Sequence, residues 1–454
     1  MGEADPPAGK DKGIKNLTNF GVMGTTTLKI TGMVTVLVLL GGCGTTRQST
    51  SSETAEYLAS LYNPSQMSLH PDFSLFHESD QTSMLYIRIY PAELRFSQTN
   101  EQAEYRALLG IHYRLIELDP SSMEGVVVDS SSVTYKLLEE DEGRPAFFAT
   151  LPMRIMSGYR YLLRMEAKDL QRGSMGLEYL YIDKTNPYSS QNFKVVSLYS
   201  GYPKFMRFFM PGEKFNLQYR DPAADSVIIN YYRLESELPR QPVTSSVDYT
   251  LDRDVDTSFV SPLSDTTEFD LVREGMYFFR VDPDRLEGLT LFNFGGSFPE
   301  VKTPTELMEP IFYLATLAEY RDLRKKPNRK LGVDDFWLKI GNSVERSREL
   351  IRIYYNRVVY SNLYFTSNKE GWKTDQGMIF ILFGPPSRIR MTGKGERWYY
   401  FARRRSKAVE FRFDRQPDQF SYDHLVWIRT LESQSMWNEA IRSWRNGKVY
   451  SPGS

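Results

Sequence analysis

Gly371-Trp372-Lys373-Thr374-Asp375-Gln376-Gly377-Met378-Ile379-Phe380-Ile381-Leu382-Phe383-Gly384-Pro385-Pro386 is the stretch from which the rest of the chain can be read. Gly371 and Gly377 bracket Trp372, Thr374 and Asp375, and a six-residue apolar run follows at 378–383. A run of that length between turn residues reads as a buried strand. Gly384, Pro385 and Pro386 end it, because proline cannot donate to a sheet ladder. The expectation is therefore turn, strand, turn. Trp372 would fill a core. Thr374 and Asp375 would accept turn N–H groups, and the two glycines would adopt backbone angles that other residues avoid.

Immediately upstream the period is helical. From Thr303-Pro304-Thr305 onward, Ile311, Leu314, Leu317, Ala318 and Leu323 form a stripe, with Glu306, Glu309 and Glu319 off it. Asp334-Asp335-Phe336-Trp337 predicts the start of a short helix, its acids in the first turn where the macrodipole favours them. Residues 344–365 predict a long helix, apolar on more than one side and so buried against several partners. All six tryptophans (Trp337, Trp372, Trp398, Trp427, Trp437 and Trp444) lie in this last third, which marks 304–450 as a separate α+β domain.

Further upstream the period is two. Leu85, Ile87 and Ile89 alternate with Tyr86, Arg88 and Tyr90. Similar runs at 105–117, 132–138, 146–151, 159–167 and 177–182, separated by turn residues, predict an antiparallel sandwich over 83–187. A second β unit over 188–303 carries Phe215, Leu217 and Tyr219, then Val227, Ile229 and Tyr231, then 275–281. The 29 Tyr and 27 Phe agree with a strand-rich chain. The predicted fold class is two tandem antiparallel β-sandwich units followed by a C-terminal α+β domain. Ahead of them, 54–62 predicts a short amphipathic helix, and a polar loop to about residue 82 would leave His70 and His77 solvated. Asp252, Asp254 and Asp256 alternate like the start of a calcium loop. Thr257 and Leu263 stand where that loop needs glycine and a final acid, so the run reads as solvated charge.

The composition excludes several classes. A net charge of −1 gives no global field for a polyanion. One cysteine, Cys43, rules out an internal disulfide and a cysteine-based metal cluster. No metal or other cofactor is expected. Residues 30–40 are an eleven-residue apolar run, about 16 Å as a helix and too short for a hydrocarbon core of about 30 Å. With Lys29 before it, the run fits the apolar region of a secretory signal. Leu40-Gly41-Gly42-Cys43 resembles a bacterial lipobox. The resemblance implies cleavage before Cys43 and acylation there with diacylglycerol and a further chain such as palmitate, making the membrane a partner. Residues 1–42 would be the signal peptide, with Met23 as an alternative start, and 43–82 a lipidated tether with the short helix. No acidic cluster follows Cys43, which favours an outer-membrane anchor facing the periplasm.

The 371–386 stretch resembles the signature of the GWxTD domain family of Bacteroidota-type envelope lipoproteins. The family's acidic-Phe-Trp element is matched by Asp335-Phe336-Trp337, and its Tyr-x-x-Arg-Val helix by Tyr354-Tyr355-Asn356-Arg357-Val358. Its Asn-x-x-Phe segment is matched by Asn362-Leu363-Tyr364-Phe365. Gly371, Trp372, Thr374, Asp375 and Gly377 follow, then Phe383-Gly384-Pro385-Pro386, Trp398-Tyr399-Tyr400 and Phe411-Arg412-Phe413. The resemblance covers roughly 306–446. Gln376 departs from it, standing where a basic residue is more usual.

Two sites remain as candidates for chemistry or contact. Asp375 is the motif's carboxylate, with only Glu370 and Lys373 as titratable neighbours in sequence; catalysis would need Asp335, Glu345 or Asp414 to converge on it. Residues 388–407 hold eight cations against Glu396, interleaved with aromatic residues. After a lipoprotein signal this patch reads as a solvated hairpin or a contact for an anionic partner, with Arg403, Arg404 and Arg405 at its centre, and not as a nucleic-acid site. The function expected is a lipid-anchored envelope protein that binds or scaffolds an envelope protein assembly. A periplasmic enzyme acting on a cell-wall or surface glycan through Asp375 is one alternative. A glycan-binding module with exposed Tyr and Trp platforms is another.

Overall fold

The computed structural model describes residues 57–58, 61–64, 66–98, 104–234, 254–401, 408–416, 418–421 and 424–450. Leu40, Gly41, Gly42, Cys43 and the Arg403, Arg404, Arg405 run lie outside the described residues.

The chain enters as β1 (Tyr57–Leu58), a strand where a helix is predicted. It pairs antiparallel with the C-terminal domain, Tyr57 opposite Arg390 and Leu58 opposite Ile389. So short an isolated helix is marginal in water, whereas a free sheet edge offers this backbone its hydrogen bonds.

The first sandwich comprises β2 (Asp72–His77), β3 (Thr82–Ile89), β4 (Arg106–Leu118), β5 (Gly125–Leu138), a short α1 (Glu139–Glu142), β6 (Phe147–Arg154), β7 (Arg160–Asp169) and β8 (Met175–Asp183). One sheet has the order β2-β3-β6 and the other β5-β4-β7-β8, all antiparallel. Leu85, Ile87 and Ile89 face the core as their alternation requires. The expected polar loop before residue 82 contains β2. His77, far from solvated, is fully buried, with Nδ1 2.8 Å from Ser83 Oγ. His70 pairs with Glu93 at 2.9 Å. Both corrections have one cause: β2 alternates for only a few residues, too few to separate from a loop without its partner strand.

The second sandwich repeats this plan: β9 (Phe193–Ser197), β10 (Lys214–Tyr219), β11 (Ser226–Tyr232), β12 (Thr257–Pro262), β13 (Phe269–Asp270), β14 (Gly275–Arg280) and β15 (Leu289–Asn293). Its sheets are β13-β10-β9 and β12-β11-β14-β15. In both units the first, second and fifth strands form one sheet and the fourth, third, sixth and seventh the other, the Greek-key plan of immunoglobulin-like sandwiches. A second mark of that class is present twice. At the start of the sixth strand, Tyr161 donates its hydroxyl back to Met156 O at 3.2 Å, and Tyr277 donates to Arg273 O at 3.0 Å. The two units share a topology that no repeat in the sequence announces.

Lys184, just past β8, folds back into the first unit near its junction with the second. Its Nζ donates to Thr82 O and Ser83 Oγ, both at 3.2 Å, and to Ile155 O at 2.5 Å. Arg220 of the second sandwich reaches back to Asp80 at 2.5 Å. Burial pushes Lys184 down to about 8, and the Arg220 charge adds to the effect. Burial and the Lys184 and Arg220 charges push His77 down to about 3. Between about pH 8 and the lysine's ordinary 10.5 the unfolded chain therefore holds a proton that the folded protein has released. Stability rises with pH wherever the unfolded state binds more protons. Urea midpoints of the wild type should climb across that window relative to Lys184→Met, in which this increment is absent.

The C-terminal domain contains α2 (Pro304–Met308), α3 (Leu317–Lys325), α4 (Arg329–Gly341), α5 (Val344–Phe365), α6 (Asp375–Phe383), β16 (Arg388–Thr392), β17 (Gly395–Tyr400), β18 (Val409–Arg415), β19 (Leu425–Trp427) and α7 (Leu431–Arg445). Its antiparallel sheet runs β1-β16-β17-β18-β19, so the N-terminal segment supplies the edge strand. Helix α5 has the predicted bounds. Helix α4 starts earlier than predicted: Asn328 caps it, accepting from Leu331 N at 3.1 Å, and leaves the Asp334-Asp335 pair mid-helix. All six tryptophans are buried in this domain, whose core also takes in Ile116, Leu118, Leu162 and Tyr181 of the first sandwich. The second sandwich contacts the same domain through Thr290, whose Oγ1 donates to Phe420 O at 2.8 Å, and through Tyr232 and Phe278, whose rings pack edge-on against Phe420.

Candidate functional site

The motif forms a helix where a strand is predicted. Gly371–Lys373 is a single 3-10 turn, and Asp375–Phe383 is α6, buried from Gln376 to Phe383. A six-residue run that is apolar at every position has no period, so neither 2 nor 3.6 can be read from it. Thr374 decides the matter locally. Its Oγ1 accepts from Gly377 N at 3.0 Å as an N-cap and donates to Gly371 O at 2.7 Å. Gly384, at φ +78°, ends the helix in a conformation that favours glycine.

The remaining motif residues tie the 3-10 turn and the start of α6 to the elements around them. Trp372 N donates to Asn362 Oδ1 at 3.1 Å, and Trp372 O accepts from Tyr313 at 2.6 Å. Asn362 Nδ2 donates to Pro299 O at 2.9 Å, tying α5 to the segment before α2. Gly371 and Gly377 do not serve by unusual backbone angles, since neither has a positive φ. They serve by close approach. A Cβ on Gly371 would lie 1.8 Å from Ser361 O, and one on Gly377 1.9 Å from Gly371 O. Asp375 does not accept from the turn either. Its Oδ2 accepts from Trp427 N at 2.8 Å, and Arg429 Nη2 donates to its Oδ1 at 2.9 Å, so it fastens the start of α6 to β19.

The other end of α6 is held as firmly. Arg357 Nη1 donates to Ile381 O at 3.0 Å and Leu382 O at 3.1 Å, Trp444 Nε1 to Leu382 O at 2.9 Å, and Tyr400 to Gly384 O at 2.9 Å. A cation at a helix C-terminus complements the macrodipole as well as the orphan carbonyls. Burial pushes the Arg357 guanidinium down to about 10. Pro385, half-buried, leads from here into β16.

Gln376 has a specific partner. Its Nε2 donates to Glu396 Oε2 at 3.1 Å, and the same carboxylate accepts from Trp398 Nε1 at 2.7 Å and from Tyr62 at 2.8 Å. Glu396 is therefore a core residue and not part of a solvated hairpin, and burial raises its pKa against the lowering effect of these donors. An inward-facing acid in an alternating strand reads as surface charge until the strand's faces are known; neither Tyr62 nor Glu396 carries a local signal of this contact.

The carboxylates that catalysis would need stay apart. Asp335 pairs with Lys326 at 2.8 Å, Asp414 with Arg412 at 2.6 Å, and Glu345 is exposed in the first turn of α5. Asp375 is committed to Arg429. Among the described residues no group of three or more His, Cys, Asp or Glu side chains is placed to hold a metal ion, and no helix is long and apolar enough to cross a membrane. With every tryptophan buried, none offers a stacking face to a glycan.

These features define a protein of two immunoglobulin-like sandwiches joined to a helix-and-sheet domain that is built around one capped, buried helix. Residues 275–446 match the GWxTD domain, so this region of the chain carries that domain. The match begins upstream of the 306 expected, at β14 of the second sandwich. No curated protein matches the chain. Among solved structures, the chain is similar to Bacteroides uniformis beta-glucuronidase 2 covalently bound to cyclophellitol-6-carboxylate aziridine, at 13% identity over 26% of this chain and 15% of that chain, with a TM-score of 0.16. A likeness of that size carries no argument about fold or function.

Proposed function

We propose that the protein is a lipid-anchored component of the bacterial envelope, attached through Cys43 and facing the periplasm, where it binds or scaffolds an envelope protein assembly. The observation that carries this reading is the use made of the motif. Thr374 caps a helix, Asp375 fastens it to β19, and Gly371 and Gly377 permit close packing. No motif group is left to act on a substrate, which speaks against the alternative of a periplasmic enzyme acting on a cell-wall or surface glycan. Two sandwiches packed against one domain present extended surfaces, as binding proteins do. The lipobox-like Leu40-Gly41-Gly42-Cys43 supplies the anchor, and Arg403, Arg404 and Arg405 are the contact we assign to an anionic protein partner.

The test joins anchor and partner. Cells expressing Cys43→Ser should lose incorporation of labelled palmitate, and the protein should leave the membrane fraction. Crosslinking of the wild type should capture one stoichiometric envelope protein, lost when Arg403, Arg404 and Arg405 are changed to glutamine. Palmitate incorporation unchanged by Cys43→Ser overturns the anchor. Turnover of a glycan that is abolished in folded Asp375→Asn overturns the scaffold.

A further inference from the structure

The outer face of the C-terminal sheet carries charge that the fold does not require. Its strands alternate cleanly: Ile389, Met391, Trp398, Tyr400, Val409, Phe411 and Phe413 face the core. On the opposite face Arg390, Arg397 and Arg412 lie directly across from one another on β16, β17 and β18. Like charges in directly opposed positions destabilise a sheet. Compensation is partial. Arg397 lies 3.4 Å from Glu410, and Arg412 2.6 Å from Asp414. Arg390 has no carboxylate partner among the described residues. Arg388 adds a fourth cation, set 4.9 Å over the ring of Phe401, which is itself exposed. Among the described residues the face thus carries Arg388, Arg390, Arg397 and Arg412 with Glu410 and Asp414, and Tyr399 and Phe401 stand among them. Arginine and aromatic rings together suit the headgroup zone of a bilayer.

The row of arginines ends at the strand by which the N-terminal segment enters, since Tyr57 of β1 is paired with Arg390. Thirteen residues separate Cys43 from Tyr57, a reach of about 50 Å at most. We propose that this arginine-bearing face docks on anionic phospholipid headgroups, so that the GWxTD domain, last in sequence, is the part nearest the membrane and the sandwiches project from it. The placement rests on the lipid-anchor reading; the affinity of the face for headgroups does not.

The experiment uses the full chain carrying Cys43→Ser, so that no acyl chain contributes. Its binding to phosphatidylcholine vesicles is compared with binding to vesicles that also contain phosphatidylglycerol. Two further chains carry glutamine or lysine at Arg390, Arg397 and Arg412 together. The N-terminal apolar run and its lysines are common to all three chains, so they cancel. The expected result is a preference for phosphatidylglycerol that weakens with salt, falls by about tenfold or more in the glutamine chain and survives in the lysine chain. A glutamine chain with undiminished preference overturns the proposal, as does loss in both chains, which would make the arginines packing groups. Mass spectrometry of Cys43 in the wild type, made separately, decides the anchor: an acylated protein without the lipid preference loses the face alone, and an unacylated protein with it loses the anchor alone.

Discussion

Gly371→Ala should unfold the C-terminal domain while leaving the sandwiches formed. The added methyl would stand 1.8 Å from Ser361 O, 2.6 Å from its carbonyl carbon and 2.8 Å from Asn362 Cα. All three neighbours are backbone of α5, so no side chain can swing aside. Forcing a methylene into a packed core commonly costs about 1–3 kcal/mol. Here helix α5 would have to leave the 3-10 turn, breaking the Trp372–Asn362 bond with it, and the cost should exceed about 4 kcal/mol. Gly377→Ala meets the backbone of Gly371 in the same way and should behave alike. Gly143→Ala is the control. It has φ −85° and nothing within 4 Å of its new Cβ, and should change stability by less than about 0.5 kcal/mol. The measurements are urea unfolding followed by far-ultraviolet circular dichroism, which reports the sandwiches and so the Gly143→Ala control, and by intrinsic tryptophan fluorescence. Because all six tryptophans sit in the C-terminal domain, that signal reports this domain alone. A Gly371→Ala protein with a wild-type midpoint would show that the turn has room the packing does not suggest.

Asp375→Ala should cost about 3–5 kcal/mol, the range for breaking a desolvated ion pair by removing one partner. Both side chains are largely buried, at 15% and 17% exposure. The substitution removes the acceptor for Trp427 N and leaves the Arg429 guanidinium, among the described residues, with Trp427 O at 3.2 Å and the face of the Trp427 ring. It also takes an acid from the first turn of α6, where the macrodipole favours one. Asp375→Asn keeps an acceptor for Trp427 N and loses the charge, so it should cost less. Arg429→Met should recover part of the loss in the Asp375→Ala background, since it removes the uncompensated cation. A double-mutant cycle on urea midpoints measures that coupling. Additivity of the two changes would mean that Asp375 acts through the Trp427 amide alone.

These outcomes explain why the motif is spelled as it is. A tryptophan, a threonine, an aspartate and two glycines in seven residues look like a site. In this protein they are the fittings of one helix: the ring fills the core, the hydroxyl caps, the carboxylate spans to β19, Gly371 lets α5 touch the 3-10 turn, and Gly377 lets α6 fold back against that turn. The Gln376 departure fits the same account, because its amide satisfies one side of the buried Glu396 carboxylate.

The sequence by itself determined the elements whose pattern repeats. Leu85, Ile87 and Ile89 specify their strand and its buried face, because a period of two is a property of the strand alone. Helix α5 is legible to the residue over 344–365, all 22 residues of which are helical. The two-sandwich plan and the α+β character of the last domain follow from such local periods. The tertiary structure alone decided the rest. Residues 378–383 carry no period of their own, and their helix is closed at its end by Arg357, Trp444 and Tyr400 from other elements. Tyr57 and Leu58 are a strand because a sheet edge far along the chain, at Ile389 and Arg390, is free to take them. Asp375 is structural because folding brings Arg429 to it across 54 residues of chain. In each case the free energy sits in a contact between distant residues, and neither partner's neighbours in sequence carry a trace of it.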